Sequence, residues 1–247
     1  MPPKLASSIG RIEGRKSYHA LADHLRERIL SGNLPEGSPL PNERELGGST
    51  GLSRGSVREA LRMLEVEGLL TIKTGRNGGG TIRLPDTNRV SRTIDAYVRG
   101  QQISFDTVLE AREALEPAMA ALAATHHTPD DLIAIAEAAG QLVAAGDDNA
   151  LFIAANDKWH WAVAQASQNR LLIAVVAALS DLLHKSNIES FVSEEVRRAV
   201  IDAHASVEKA IRSRDADAAQ RRMARHVKSY RQQVAPVAPK SLDMGLP

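Results

Sequence analysis

Residues Pro41–Leu70 read PNERELGGSTGLSRGSVREALRMLEVEGLL and predict two short helices joined by a tight turn. Asn42 can cap the first helix, because its side-chain oxygen can accept the unpaired N–H groups of the first turn. Glu45, three residues on, can complete a capping box, and Ser53 can cap the second helix. Apolar residues follow in the second helix at close to a 3.6-residue period, which supports the helical interpretation.

The second helix begins with basic and polar side chains. Its first turns expose Arg54, Ser56 and Arg58. The N-terminal end of a helix can enter the major groove of DNA, and an arginine can donate two hydrogen bonds to one guanine edge. The segment therefore predicts sequence-specific binding to double-stranded DNA.

The composition limits the fold class. The chain has 247 residues, of which 43 % are hydrophobic and only 3 % aromatic. This length suffices for two modest domains, and the abundance of alanine favours close-packed helices over a β-sandwich. Cysteine is absent, which excludes disulfide and thiolate sites and fits a reducing compartment.

No segment of the sequence predicts contact with a membrane. The longest fully apolar run, 171–179, is too short to cross a bilayer. The N-terminus is basic but lacks the apolar core of a signal peptide. We therefore expect a cytoplasmic protein with no membrane partner.

Charge is distributed unevenly along the chain. Residues 1–84 contain 13 Lys and Arg against 9 Asp and Glu, whereas the remainder contains 18 against 21. A basic first third fits a DNA-binding domain joined to a domain that does not itself bind polyanions. Random scatter is the alternative, because so small an excess does not exclude it.

Hydrophobic periodicity predicts a mainly α-helical protein with two domains and a small β wing. The expected regions are a flexible arm over 1–16, a DNA-binding domain over 17–84, a linker over 85–89, a helical bundle over 90–233 and a disordered tail over 234–247. Outside the opening motif, helices are expected over 17–31, 90–99, 105–125, 129–145, 149–167, 170–187, 192–213 and 216–233. Short strands over 69–73 and 81–84 flank a glycine-rich tip that can approach a phosphate backbone.

Two ordered stretches carry a resemblance to a known family. They are Leu25-Arg26-x-x-Ile29-x-x-Gly32-x-Leu34-x-x-Gly37-x-x-Leu40-Pro41-x-Glu43-Arg44-Glu45-Leu46 and Leu52-Ser53-Arg54-x-x-Val57-Arg58-Glu59-Ala60-Leu61-x-x-Leu64-x-x-Glu67-Gly68-Leu69. They resemble the winged helix-turn-helix of the GntR family of bacterial transcription regulators. The helical remainder resembles the effector-binding (FCD) domain of the FadR-like branch, through Arg112-x-x-x-Glu116, Asn156-x-x-x-His160, His204 and His226.

The resemblance implies a homodimer on a palindromic operator. The candidate DNA-binding residues, two of them in the wing, are Arg44, Ser53, Arg54, Ser56, Arg58, Thr74 and Gly75. Arg54 is the leading candidate for a base contact, with a phosphate contact as the alternative. For Arg44 and Arg58, the alternatives are a phosphate contact or an internal salt bridge to Glu59 or Glu43.

Three glycines depart from the pattern of the family. Gly47 and Gly48 stand where members usually have alanine and a polar residue, and a helical glycine costs about 1 kcal/mol. Gly55 stands where a hydroxyl residue is common. One phosphate or base contact is therefore expected to be missing, and the target sequence to differ.

Three histidines and one asparagine have the spacing of a metal site. Asn156 and His160 are four residues apart and project from one helical face. His204 and His226 each lie 11 residues from Asp215, so antiparallel helices would place both ~16 Å from the turn. Three imidazoles and one amide or carboxylate oxygen suit Zn²⁺ or Ni²⁺, although isolated helical histidines are more often core or surface residues.

The resemblance adds weight to that metal site, because all four positions match the site of the branch. Asn156 replaces the usual aspartate there, which is expected to weaken metal binding because a carboxylate is the stronger ligand. Asp157 could compensate, but it lies about 100° around the helix from that face.

Arg112 is the residue that the resemblance implies for a carboxylate effector. Its planar guanidinium can donate two hydrogen bonds to a carboxylate, and a salt bridge to Glu116 is the alternative. We therefore expect a transcription regulator, most often a repressor in this family, controlled by a sugar acid or other organic acid bound near the metal. A second hypothesis is a metalloenzyme with Glu116 or Asp157 as base, which leaves the DNA-reading segment unexplained. A third is a DNA-binding protein without an effector.

Overall fold

A computed structural model of the chain describes residues 17–72, 80–184 and 193–234, and the chain divides after Asp86 into two compact units. The first unit contains helices α1 (Ser17–Leu30), α2 (Glu43–Thr50) and α3 (Arg54–Val66) and strands β1 (Leu70–Ile72) and β2 (Gly80–Ile82). The second contains helices α4 (Thr87–Gly100), α5 (Phe105–His126), α6 (Pro129–Ala144), α7 (Asn149–Ala166), α8 (Arg170–His184), α9 (Glu194–Arg212) and α10 (Ala216–Val234). The mainly α-helical class with a small antiparallel sheet is confirmed.

Local hydrogen bonds define the ends of α2 and α3 as the sequence predicts. The side chain of Asn42 accepts from the backbone N–H of Glu45, and the Glu45 side chain accepts from the N–H of Asn42, which completes the capping box. Ser53 caps α3 through the N–H of Ser56. Gly68 ends α3 with φ of 76°, a left-handed conformation that glycine adopts without steric cost.

Two short strands complete the first unit. Leu70 pairs with Ile82 and Ile72 with Gly80 in an antiparallel ladder. The preceding loop adds to this sheet, because the N–H of Leu40 donates to the Gly80 carbonyl oxygen over 2.7 Å. Apolar residues from all of these elements form one buried core, which includes Leu21, Leu25, Ile29, Leu46, Val57, Leu61, Leu64, Leu70 and Ile82. The expected wing tip with Thr74 and Gly75 lies outside the described residues.

The two helical glycines of α2 lie in different surroundings. A Cβ atom at Gly47 would lie 3.2 Å from the carbonyl oxygen of Leu52, whereas a Cβ atom at Gly48 would meet nothing within 4 Å. The turn to α3 therefore packs closely against Gly47. This contact explains a glycine at position 47 and gives no reason for one at 48.

Replacing Gly48 with alanine is expected to stabilise α2 by about 0.5–1 kcal/mol, because alanine restricts the unfolded chain and fits the open position. Hydrogen exchange of the α2 amides should then slow by about two- to fivefold. Gly47→Ala is the matched control, and it should give a smaller gain or a loss because the Leu52 carbonyl must move. Equal slowing by both variants would contradict this account.

The second unit is a helical bundle built around α5. This helix packs against α7, α8, α9 and α10, while α6 packs mainly on α7 and α4 on α8. Its core is rich in alanine, as the composition predicts, and includes Ala120, Ala123, Ala124, Ala162, Ala166, Ala210 and Ala219. Small side chains at these contacts allow the helices to approach closely.

Three expected boundaries in this unit are corrected. The linker expected over 85–89 overlaps α4, which begins at Thr87. Helix α9 begins two residues later than expected, at Glu194, because the Ser193 side chain caps it. Val234, expected in the tail, ends α10 and is buried. The expected arm over 1–16, the rest of the tail and residues 185–187 of the expected α8 lie outside the described residues.

Within the described part of the chain, none of the helices has the length and apolar character needed to span a lipid bilayer.

Candidate functional site

The first turn of α3 presents the polar residues that the sequence singled out. Arg54 is exposed, and its guanidinium forms no hydrogen bond within the described part of the chain. The Ser53 hydroxyl lies 3.0 Å from the Ser56 hydroxyl and accepts the Ser56 N–H over 3.1 Å. Both hydroxyls therefore take part in the helix cap and keep capacity for a further hydrogen bond, and Arg54 is the group best placed to reach outward.

The other two arginines differ from each other. Arg58 donates to Glu43 through Nε over 3.0 Å and through Nη2 over 2.8 Å, which joins α3 to the start of α2. This hydrogen-bonded pairing with Arg58 lowers the pKa of the Glu43 carboxyl. The pair is largely exposed, so it contributes little to stability. Arg44 is exposed on α2 and forms no hydrogen bond among the described residues.

Sequence reasoning missed an ion pair that holds α3 in place. Arg26 of α1 donates from Nε and Nη2 to the two carboxylate oxygens of Glu67, over 2.7 and 2.6 Å. A two-pronged pair of this kind fixes direction as well as distance. It anchors the C-terminal end of α3 to α1, and the opposite end of the same helix carries Arg54.

In the second unit, three helices bring their histidines together. His160 of α7, His204 of α9 and His226 of α10 are all buried. The Nε2 atom of His226 lies 3.1 Å from that of His204 and 3.3 Å from that of His160. Ligand nitrogens bound at about 2.0–2.1 Å to one ion are about 2.9–3.4 Å apart for angles between 90° and 109°. The observed spacings therefore suit one divalent ion.

Burial keeps two of these imidazoles in the form that binds metals. Burial first, and the neighbouring histidines second, lower the pKa of His204 well below its ordinary value. Burial, and then His160, lower the pKa of His226 to about 3. Both rings are therefore neutral at physiological pH, with a nitrogen lone pair available to a cation.

Glu116 of α5 lies next to the ring nitrogen of His160 that does not face His226. Its Oε2 atom lies 2.7 Å from Nδ1 of His160, although the two atoms are not aligned as a hydrogen bond. A carboxylate on the second nitrogen of a ligating histidine fixes the ring and strengthens the ligand. Glu116 was expected as part of a motif and as a possible base, but its contact with His160 was not predicted.

Arg112 forms a buried salt bridge with Glu116 one helical turn away. Burial alone would raise the pKa of Glu116, but the charge of Arg112, and then the electrostatic effect of the neighbouring His160 ring, hold this pKa well below its ordinary value. The salt bridge that was the alternative for Arg112 is therefore present. Arg112 also lines a small cavity, so the salt bridge and a contact with one atom of a ligand are compatible.

Asn156 lies beside this cluster, as its spacing from His160 predicts. A small cavity of about 10 Å³ is lined by Leu109, Arg112, Asn156, His160, His226, Val227 and Tyr230. This volume corresponds to about one water-sized sphere. The space therefore suits an ion or one ligand atom, and it is too small for an organic acid.

A larger cavity adjoins the small one. It has a volume of about 370 Å³ and lies between α9 and α10, with Arg222, Arg225, Ser206, Ser229 and Gln233 among its lining residues. His226 and Tyr230 line both cavities. A volume of this size is typical of pockets for small molecules.

Trp159 packs against the histidine cluster. Its indole stacks on the His204 ring, with the ring centres 3.6 Å apart and the planes 7° from parallel. Trp159 Nε1 and His204 Nδ1 are buried and have no hydrogen-bond partner among the described residues. Unpaired buried polar atoms are rare and concentrate where a site has work other than stability. All four metal-site residues that the sequence predicts thus lie in one place.

Comparisons with known proteins identify the family of both units. Residues 17–78 match the family described as "Bacterial regulatory proteins, gntR family", and residues 107–229 match the FCD domain. The Glc operon transcriptional activator of Escherichia coli (strain K12) is 30 % identical over 89 % of each chain. An L-lactate dehydrogenase operon regulatory protein of the same strain is 33 % identical over 86 % of this chain and 84 % of its own.

A solved structure shows the same architecture. A GntR protein of Streptococcus agalactiae superposes with a TM-score of 0.64 at 26 % identity, over 87 % of this chain and 99 % of its own. The family match covers both units, and the relatives are regulators of transcription. The chain therefore belongs to the GntR family of bacterial transcription regulators, as a FadR-like member with an FCD domain, and is not an enzyme.

Proposed function

We propose that this regulator binds a palindromic operator as a homodimer, and that a small carboxylate bound beside a divalent metal ion controls the binding. The observation that carries the proposal is the convergence of three buried imidazoles at 3.1 and 3.3 Å, next to a cavity of ligand size. A purely structural core would bury apolar side chains there at lower desolvation cost.

The metal ion would be held by His160, His204 and His226, with the amide oxygen of Asn156 as a fourth ligand. Zn²⁺ and Ni²⁺ are the ions that imidazole nitrogens favour, and the spacing of the Nε2 atoms supports either. When bound, the ion supplies a positive charge that can hold a carboxylate oxygen. Glu116 would keep the His160 ring oriented toward the ion.

The effector would occupy the cavity of about 370 Å³ and reach the metal past Tyr230 and His226. Arg225 and Arg222 line that cavity and suit an acid, while Arg112 lies behind the metal site. One relative is named for an L-lactate dehydrogenase operon, which makes a short hydroxy acid a reasonable first probe. Sugar acids of similar size belong in the same test.

Repression is the proposed sign of regulation. Relief of repression requires only that the effector lowers DNA affinity, whereas activation requires a further productive contact with the transcription machinery. One relative is named as an activator, so activation of transcription is the alternative to repression. A reporter assay with the effector present should therefore show increased expression, and decreased expression would reverse the assignment.

DNA contacts are proposed for Arg44, Ser53, Arg54, Ser56 and Arg58 of the first unit, and for Thr74 and Gly75 of the wing. Arg54→Ala is expected to lower operator affinity by about 10- to 100-fold, because one two-pronged base contact contributes about 1–3 kcal/mol. Mobility shifts against operator and scrambled DNA at fixed salt measure this effect. The Arg62→Ala variant, in the same helix but two turns away, should lose much less. Equal losses on both DNA sequences would make Arg54 a phosphate contact.

The control by ligand has its own test. A mobility-shift titration on the operator should respond to a panel of hydroxy acids and sugar acids, and the response should disappear after treatment with a chelator. DNA binding that no acid changes, with and without added Zn²⁺, would refute the effector part of the proposal. Light scattering should report a dimer, and a monomer at operator-binding concentrations would refute the dimer.

A further inference from the structure

The cavity between α9 and α10 carries charges of both signs. Arg222 and Arg225 line it from α10, and Asp202 lines it from α9. Its volume of about 370 Å³ is large enough for a small organic molecule, and these three side chains are not part of the histidine cluster. The kind of molecule that this cavity selects therefore depends on how the charges are ordered along the two helices.

Arg222 is held in place at the end of the cavity nearest the turn between the two helices. Its Nη1 atom donates to the carbonyl oxygen of Ser206 over 2.6 Å, which joins α10 to α9. A guanidinium group carries five N–H donors, so this hydrogen bond leaves others available to a ligand. Arg222 therefore supplies a positioned positive charge, which suits a carboxylate.

Asp202 and Arg225 are exposed, and neither side chain forms a hydrogen bond or ion pair within the described part of the chain. Counted from Asp215 in the turn, Arg225 lies 10 residues away and Asp202 lies 13 residues away. The two helices run antiparallel, because His204 and His226 meet although each is 11 residues from the turn. At 1.5 Å per residue, Arg225 and Asp202 differ by ~4.5 Å along the helix axes. One small ligand can therefore contact both charges.

We propose that this cavity binds a free α-amino acid, with its carboxylate on the two arginines and its ammonium group on Asp202. The inference rests on the proposed function, because it names the chemical class of the effector in the same cavity. An α-amino acid carries both charged groups on one carbon atom, so it can satisfy Arg225 and Asp202 at the same time. A hydroxy acid offers Asp202 only a neutral hydroxyl, and the second carboxylate of a diacid would be repelled there.

The end of the cavity farther from the turn is left for the side chain of the amino acid. Beyond Asp202, the lining residues are Ala199, Val200, Tyr230 and Gln233. They offer mostly apolar surface with one amide and one phenol hydroxyl. Because none of these four residues is charged, we expect the bound amino acid to have an uncharged side chain.

The first test compares ligands on the full wild-type chain. Thermal-shift measurements with each of the twenty standard amino acids identify the probe, which is then titrated by calorimetry beside the 2-hydroxy acid with the same side chain. The two ligands differ only at the ammonium group. The amino acid should bind at least about tenfold more tightly, because a hydrogen bond between two charged groups is worth more than one to a neutral hydroxyl. Equal affinities overturn the proposal, and so does the absence of binding by all twenty.

Asp202→Asn separates recognition of the ammonium charge from general fit. This variant should bind the amino acid at least about tenfold more weakly and the hydroxy acid within about threefold of wild type. Arg225→Gln should weaken both ligands alike, because both carry the carboxylate. Asp217→Asn is the matched control, since it neutralises an exposed aspartate of α10 that does not line the cavity. An Asp202→Asn variant that keeps the wild-type preference overturns the proposal.

Mobility shifts on the operator distinguish a failure of this inference from a failure of the proposed function. If hydroxy acids release the operator and amino acids do not, the effector control survives and the amino-acid class is wrong. If an amino acid binds in the way that Asp202 requires but operator binding is unchanged, the class stands and the effector control fails. Release by an amino acid that is lost in Asp202→Asn and kept in Asp217→Asn supports both.

Discussion

Replacing Glu116 with glutamine is expected to lower the free energy of unfolding of the second unit by about 3–5 kcal/mol. The substitution removes the only carboxylate that forms a salt bridge with the buried Arg112 among the described residues, while the guanidinium keeps its charge. Breaking a buried pair from one side costs this much because the remaining charge stays desolvated. Urea unfolding followed by tryptophan fluorescence measures the second unit selectively, since both tryptophans, Trp159 and Trp161, lie on α7.

A double variant provides the control for this result. Arg112→Met combined with Glu116→Gln removes both charges and keeps the approximate volume, so much of the lost stability should return. The coupling energy between the two substitutions then measures the interaction of Arg112 with Glu116, separately from any change in packing. If the double variant is as unstable as the sum of the single ones, packing and not the buried charge explains the loss.

Acidification from pH 6.5 to 4.5 is expected to destabilise the metal-free protein by about 2 kcal/mol through His226 alone. Burial, and then His160, lower the pKa of this residue in the folded state to about 3, against an ordinary value of 6.5. Below pH 6.5 the unfolded state therefore binds a proton that the folded state excludes. Stability is complete above pH 6.5 and is lost as the pH falls toward the pKa of the folded state.

His204 adds to the same loss, because its pKa is lowered in the same direction. Glu116 contributes only at lower pH, since its ordinary pKa of 4.5 marks where its protonation in the unfolded state begins. Urea unfolding at half-unit pH steps, in the presence of chelator, measures the slope. The His226→Gln variant should reduce the slope of the free energy of unfolding against pH by the amount that corresponds to about one bound proton. An unchanged slope would contradict the assignment of a neutral buried His226.

Local signals in the sequence predicted the helix-turn-helix segment well. The caps at Asn42 and Ser53 and the glycine stop at Gly68 depend on neighbours a few residues away, so their chemistry is visible in the sequence. The pairing of Arg26 with Glu67 joins residues 41 positions apart. Neither segment alone predicts that Arg26 pairs with Glu67, because the pairing depends on how α1 crosses α3.

In the candidate metal site, too, local spacing could be predicted and most contacts between distant residues could not. His204 and His226 could be matched because two helices of equal length run back from one turn, so that chain geometry sets their level. The addition of His160 needed the family resemblance, since its helix is distant in sequence. The contact of Glu116 with His160 and the stacking of Trp159 on His204 could not be predicted, because they depend on helix rotation rather than spacing.

The stacking of Trp159 on His204 gives this protein an optical reporter at the centre of its second unit. The indole lies face to face with an imidazole whose charge changes when it binds a proton or a metal ion. A cation against the face of an aromatic ring draws on its π electrons, so the emission of Trp159 should depend on the state of His204. Trp161 is partly exposed and contributes a separate background. Occupancy of the histidine cluster can therefore be followed by light, in unlabelled protein, while it binds or releases DNA.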